Sequence, residues 1–129
     1  MTETDRVVVL ITTTSQEEAR NIAQLLVSQK KAACVNIIPA VDSLFWWKGK
    51  LESARESLLV VKTKTSLFLE IVEMVKRVHS YEVPEIIALP IVAGNQDYLA
   101  WLDAACSSQR RQKVDNKFKA DIQCKTAGD

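Results

Sequence analysis

Glycine, proline and histidine are scarce in this chain: three, three and one among 129 residues. The glycines, Gly49, Gly94 and Gly128, are too scattered for a P-loop or a dinucleotide fingerprint, which need clustered glycines where backbone approaches phosphate. A lone histidine, His79, limits Ser/His or Cys/His catalysis to one arrangement, and no nucleophile motif surrounds a serine or cysteine. We therefore expect no enzyme. The three cysteines, Cys34, Cys106 and Cys124, form no Cys-x-x-Cys pair. Their odd number reads as reduced thiols of a cytosolic protein. No apolar run approaches the ~20 residues that cross a bilayer. The first six residues lack the basic start and apolar stretch of a signal peptide. A cytoplasmic location without a membrane partner is expected.

Strong charge of either sign is also missing. The net charge is +1, but residues 107–129 carry six basic and three acidic groups, which leaves residues 1–106 at −2. A slightly acidic body has no electrostatic footprint for nucleic acid, so no nucleic-acid partner is expected. We expect two parts, a folded domain over 1–106 and a basic, disordered tail over 107–129.

What is present is a regular alternation of strand and helix patterns. Val7-Val8-Val9-Leu10-Ile11 is an unbroken β-branched and aliphatic run, suited to a strand buried on both faces. Thr14-Ser15-Gln16-Glu17 offers a capping box. Ala19, Ile22, Ala23 and Leu26 follow at helical spacing, predicting an amphipathic helix over 15–30. Residues 33–47 and 51–63 predict two long strands, with an irregularity at Pro39 and a turn at Lys48-Gly49-Lys50. This hairpin is longer than one small sheet can cover. Part of it should protrude and pair elsewhere.

Thr65 or Ser66 is expected to cap a second helix, with Leu67, Ile71, Val75 and Val78 on one stripe, ending near His79. Residues 84–92 predict a further strand. Asn95 is expected to cap a short helix displaying Tyr98, Trp101, Leu102 and Ala105 together. The fold class is α+β: β-α-β-β-α-β with a long hairpin and a C-terminal helix, a ferredoxin-like sandwich. RNA-binding domains of that order stack bases on aromatics of the two central strands, but here those strands are aliphatic. Metal carriers of that order use a Cys-x-x-Cys loop, where this chain has Thr12-Thr13-Thr14-Ser15.

Six ordered stretches carry a family resemblance. They are Ala32-Ala33-Cys34-Val35-Asn36-Ile37-Ile38-Pro39, Phe45-Trp46-Trp47-Lys48-Gly49-Lys50, Val61-Lys62-Thr63, His79-Ser80-Tyr81-Glu82-Val83-Pro84-Glu85, Ala88-Leu89-Pro90-Ile91 and Gly94-Asn95-Gln96-Asp97-Tyr98-Leu99-Ala100-Trp101. In these, over about residues 6–105, the chain resembles the CutA divalent-cation tolerance family. The resemblance implies a homotrimer whose hairpins extend the sheet across subunits, and a link to divalent cations, with copper (Cu2+) binding in some members. Two departures stand out: Ser80 replaces the usual proline between His79 and Tyr81, and Ala40 the usual glycine after Pro39. Some copper-binding members have cysteine and histidine where this chain has Ile11 and Val78.

His79 is the candidate metal ligand; the alternative is a structural role at a helix end, where a cation meets the helix dipole favourably. Copper(II) normally takes several N or S donors in a near-planar set. Lys62, Tyr81, Glu82, Glu85 and Trp101 lie within the matching motifs and are the candidates for a ligand pocket between subunits; the alternative is a hydrogen-bond network that locks the trimer. Trp46 and Trp47 should face opposite ways and be buried in core or interface. Cys34 reads as a buried, inert thiol, and Cys106 and Cys124 as exposed. Two functional readings remain: a non-enzymatic trimer associated with copper or another divalent metal, and a trimeric small-ligand sensor or scaffold like the nitrogen-regulatory PII proteins.

Overall fold

The computed structural model of the protein describes residues 5–106. The expected basic tail and Cys124 lie outside them. The described chain runs β1 (Arg6–Thr13), α1 (Gln16–Ser28), β2 (Cys34–Trp47), β3 (Lys50–Lys64), a 3-10 turn (Thr65–Leu67), α2 (Phe68–Val78), β4 (Ile86–Pro90) and α3 (Gln96–Ala105). The strands form one antiparallel sheet in the order β2-β3-β1-β4. The aliphatic run of β1 is central, as its lack of alternation requires. Leu10 stands opposite Val60 on one side and Ile87 on the other.

Alternation along the strands gives the sheet two unlike faces. On one, Val7, Val9, Ile11, Leu59 and Val61 are buried with Ile22 and Leu26 of α1, Ile71 and Val75 of α2 and Leu102 of α3. Each fully buried Ile or Leu contributes about 2 kcal/mol relative to exposure, so this face holds the fold together. The other face is also apolar, but no described helix lies over it. Val8, Leu10, Leu58 and Val60 are half-buried, while Ile38, Ile87 and Leu89 remain 41%, 49% and 49% exposed.

The hairpin breaks register between Ile38 and Val41, at Pro39, whose carbonyl accepts the Ser57 hydroxyl at 2.7 Å. Pairing then resumes to Trp47 opposite Lys50. The two-residue turn puts Lys48 at φ 51 and Gly49 at φ 80, the double left-handed geometry that matches strand twist. Leu44, Trp46 and Leu51 are exposed by 71%, 73% and 61%. Neither Trp46 nor Trp47 enters the core of this chain.

Several local expectations are corrected. The capping box falls one residue later: Ser15 Oγ accepts the Glu18 N–H at 3.1 Å, and Glu18 Oε1 accepts the Thr14 N–H at 2.9 Å. Helix α2 has no side-chain cap. The Thr65 N–H bonds the Asp5 carbonyl at 2.8 Å, continuing the β1–β3 pairing, and a 3-10 turn then places Leu67, which has no side-chain acceptor, at the N-cap of α2. The last strand spans only Ile86–Pro90. In α3 the buried residues are Leu99 and Leu102, whereas Tyr98 is 41% exposed. Leu99 turns inward onto Gly94, where a Cβ would lie 3.2 Å from its Cδ2. Cys106 is buried rather than exposed, 3.9 Å from Thr63 Oγ1, and burial pushes its thiol pKa up. Cys34 is half-buried.

Candidate functional site

His79 follows the last turn of α2, its N–H bonded to the Val75 carbonyl at 2.8 Å. Its backbone is extended there, φ −81 and ψ 141, which turns the ring back toward β1. Nε2 lies 2.7 Å from the Thr12 carbonyl, and Nδ1 accepts the Tyr81 N–H at 3.0 Å. A carbonyl only accepts and an amide N–H only donates, so the ring carries its proton on Nε2. Both nitrogens are used.

The next residues continue the network. Ser80 N–H bonds Glu18 Oε2 at 2.7 Å. Partial burial raises the Glu18 pKa, but hydrogen bonds from Thr14 and Ser80 outweigh it and hold the carboxyl below its ordinary value. Tyr81 Oη donates to Glu56 Oε2 at 2.7 Å. Burial first, then the hydrogen bond and charge of Glu56, push the Tyr81 pKa up to about 12, so the phenol keeps its proton as a donor. Glu56 is only 6% exposed. Sequence reading missed it because it looked like one more charge in an acidic hairpin. The available signal was its spacing, in step with Leu58 and Val60 on one face of β3.

The other pocket candidates are apart from this cluster. Lys62 lies six residues along β3 from Glu56, about 20 Å at strand rise. Its Nζ donates to Asn36 Oδ1 and is 4.0 Å from Cys34 Sγ. Trp101 is half-buried against the core, its ring 5.5 Å from that of Tyr98. Glu82 and Glu85 are exposed. Within one chain, Lys62 and the Tyr81–Glu56 pair thus lie at separate places along β3.

The described residues of one chain do not fit a copper site. His79 has no free nitrogen lone pair in this arrangement. Ile11, fully buried, and Val78, 52% exposed, offer no metal donor. Among the described residues no three His, Cys, Asp or Glu side chains gather as a possible metal group. No described helix is long and apolar enough to cross a membrane.

Comparison with known proteins agrees with this fold. The profile of the CutA1 divalent ion tolerance proteins matches residues 7–105. The divalent-cation tolerance protein CutA of Thermus thermophilus is 53% identical over 95 residues, 74% of this chain and 92% of that protein. Protein CutA 1, chloroplastic, of rice is 47% identical over 96 residues, 74% of this chain but 54% of that protein. This chain thus spans about half the length of the rice relative. The solved Thermus structure superposes with a TM-score of 0.78 at 49% identity, covering 79% of this chain and 99% of that one. The rice CutA1 structure gives 0.79 at 42% identity, covering 84% and 100%. With the match running from the start of β1 to the end of α3, the chain belongs to the CutA1 divalent ion tolerance protein family.

Proposed function

We propose that this chain is the subunit of a ferredoxin-like homotrimer that serves divalent-cation tolerance in the cytoplasm without catalysing a reaction. The observation that carries this reading is the uncovered apolar face of the sheet. Ile38, Ile87 and Leu89 remain 41–49% exposed beside half-buried Leu10 and Val60; Leu44, Trp46 and Leu51, on the opposite face of the hairpin by its pairing register, are exposed as well. A soluble monomer rarely leaves so large a contiguous apolar patch in water. A closed ring of identical chains covers such a face on every subunit at once.

In this reading Lys62, Tyr81, Glu82, Glu85 and Trp101 border a cleft between adjacent subunits. Copper or another divalent metal would need donors from more than one subunit, because those of one chain do not fit it. Native mass spectrometry tests the proposal. A species of three times the 14.5 kDa chain mass is expected, and a monomer at micromolar concentration would overturn it.

A further inference from the structure

Glu56 is a buried carboxylate with one donor. A carboxylate offers about four lone-pair sites, and among the described residues Glu56 holds only the Tyr81 hydroxyl, on Oε2. Oε1 accepts no hydrogen bond from the described residues. A buried polar group left unsatisfied costs about 1–3 kcal/mol, and more when charged. The surroundings add no relief: Leu58 follows on the same face of β3, and Val41 stands opposite across the hairpin. The face on which Glu56 lies is the one that no described helix covers.

We infer that Glu56 is the acceptor for a nitrogen-centred organic cation, an ammonium or guanidinium group, at a site that a second copy of this chain helps to enclose. An N–H cation supplies the charge and the hydrogen bond that Oε1 lacks. A metal ion would need several more oxygen, nitrogen or sulfur ligands, and no group of three suitable side chains lies there among the described residues. The Tyr81 hydroxyl already fills Oε2, so the incoming donor meets a carboxylate fixed in orientation. The cation has two possible sources. One is Lys62 of another copy, whose partners in its own chain, Asn36 and Cys34, are both uncharged groups and which cannot reach its own Glu56. The other is a free amine. Enclosure by a second copy and the Lys62 source rest on the trimer reading; recognition of a free amine by Glu56 does not.

The test is thermal unfolding of the full chain, with native mass recorded on the same samples. The proteins are wild type, Glu56→Gln, Lys62→Gln and the double variant. Each is studied with millimolar n-butylammonium or methylguanidinium, and with tetramethylammonium, which has the charge but no N–H. A free-amine site predicts a rise of several degrees in the wild-type midpoint with the first two salts, none with the third, and none in Glu56→Gln. A Lys62 site predicts no amine response but non-additive losses in the double variant. Additive losses without an amine response would overturn the inference. So would a rise produced by manganese(II) or copper(II) in wild type but not in Glu56→Gln, which would make the site a metal site. Should Glu56→Gln not fold, Tyr81→Phe leaves Glu56 without its donor in the same chain, and a free-amine site must then respond to amine more than wild type, whereas a Lys62 site still gives no amine response. A monomeric mass would overturn the trimer reading, while the amine response would still be read on the monomer.

Discussion

The His79 ring reaches back 67 residues to bond the Thr12 carbonyl at 2.7 Å, tying the end of α2 to the end of β1. The second nitrogen holds the Tyr81 N–H, so one side chain sets both the approach of the helix and the loop that delivers Tyr81 to Glu56. We expect His79→Ala to leave a buried carbonyl and an amide without partners, at a cost of about 2–3 kcal/mol. Urea unfolding measures it. A loss below experimental error would show that the ring is not a structural pin.

The start of α1 is stabilised twice, by the Ser15 hydroxyl and by the Glu18 carboxylate. Replacing an N-cap serine costs about 1 kcal/mol. Ser15→Ala should lose that amount, and Glu18→Ala more, because Glu18 also holds the Ser80 N–H at 2.7 Å. Equal losses in the two variants would mean that the link to Ser80 contributes nothing.

Arg6 at the start of β1 forms a two-point ion pair with Asp103 of α3, at 2.9 and 2.7 Å. The hydrogen bond from Arg6 holds the Asp103 pKa below its ordinary value, and Glu18 is lowered as well. A depressed carboxyl contributes stability that is fully present above its unfolded value of about 4 and disappears as pH falls through the folded value. The urea midpoint should therefore fall as pH drops below about 4. In Asp103→Asn it should fall less steeply. An unchanged slope in that variant would remove Asp103 from the acid sensitivity.

Val60 lies mid-sheet, opposite Leu10 on β1 and Asn36 on β2. Proline there removes a ladder donor and clashes with the neighbouring backbone, a cost of about 3 kcal/mol or more. Val60→Pro should lose native circular dichroism and assembly together. A folded variant of normal size would contradict the strand order.

The four strands and three helices were legible from the apolar periods of 2 and 3.6, because burial of one face acts on every residue of an element. Single-residue details were less so. The capping box at Thr14 was misplaced by one position, since which hydroxyl serves depends on where β1 releases the chain, and Thr13 still pairs with Ser57. The cap expected at Thr65 or Ser66 failed because a 3-10 turn over Thr65–Leu67 delays the start of α2 to Phe68 and leaves Leu67, without a side-chain acceptor, at the N-cap. The inward face of α3 was misread because Leu99 gains its place from Gly94, a contact that helical spacing does not encode.

Taken alone, the order of residues determined the element sequence, the central place of Val7–Ile11, the bend at Pro39, the turn at Gly49 and the family. Each rests on local sterics or on a periodic pattern that any buried face imposes. Only the tertiary structure decided that Cys106 is core, that both His79 nitrogens are occupied and that Glu56 is buried against Tyr81. Those facts depend on groups distant in sequence, and hydrogen-bond partners and desolvation become readable only once the chain has brought them within a few ångströms.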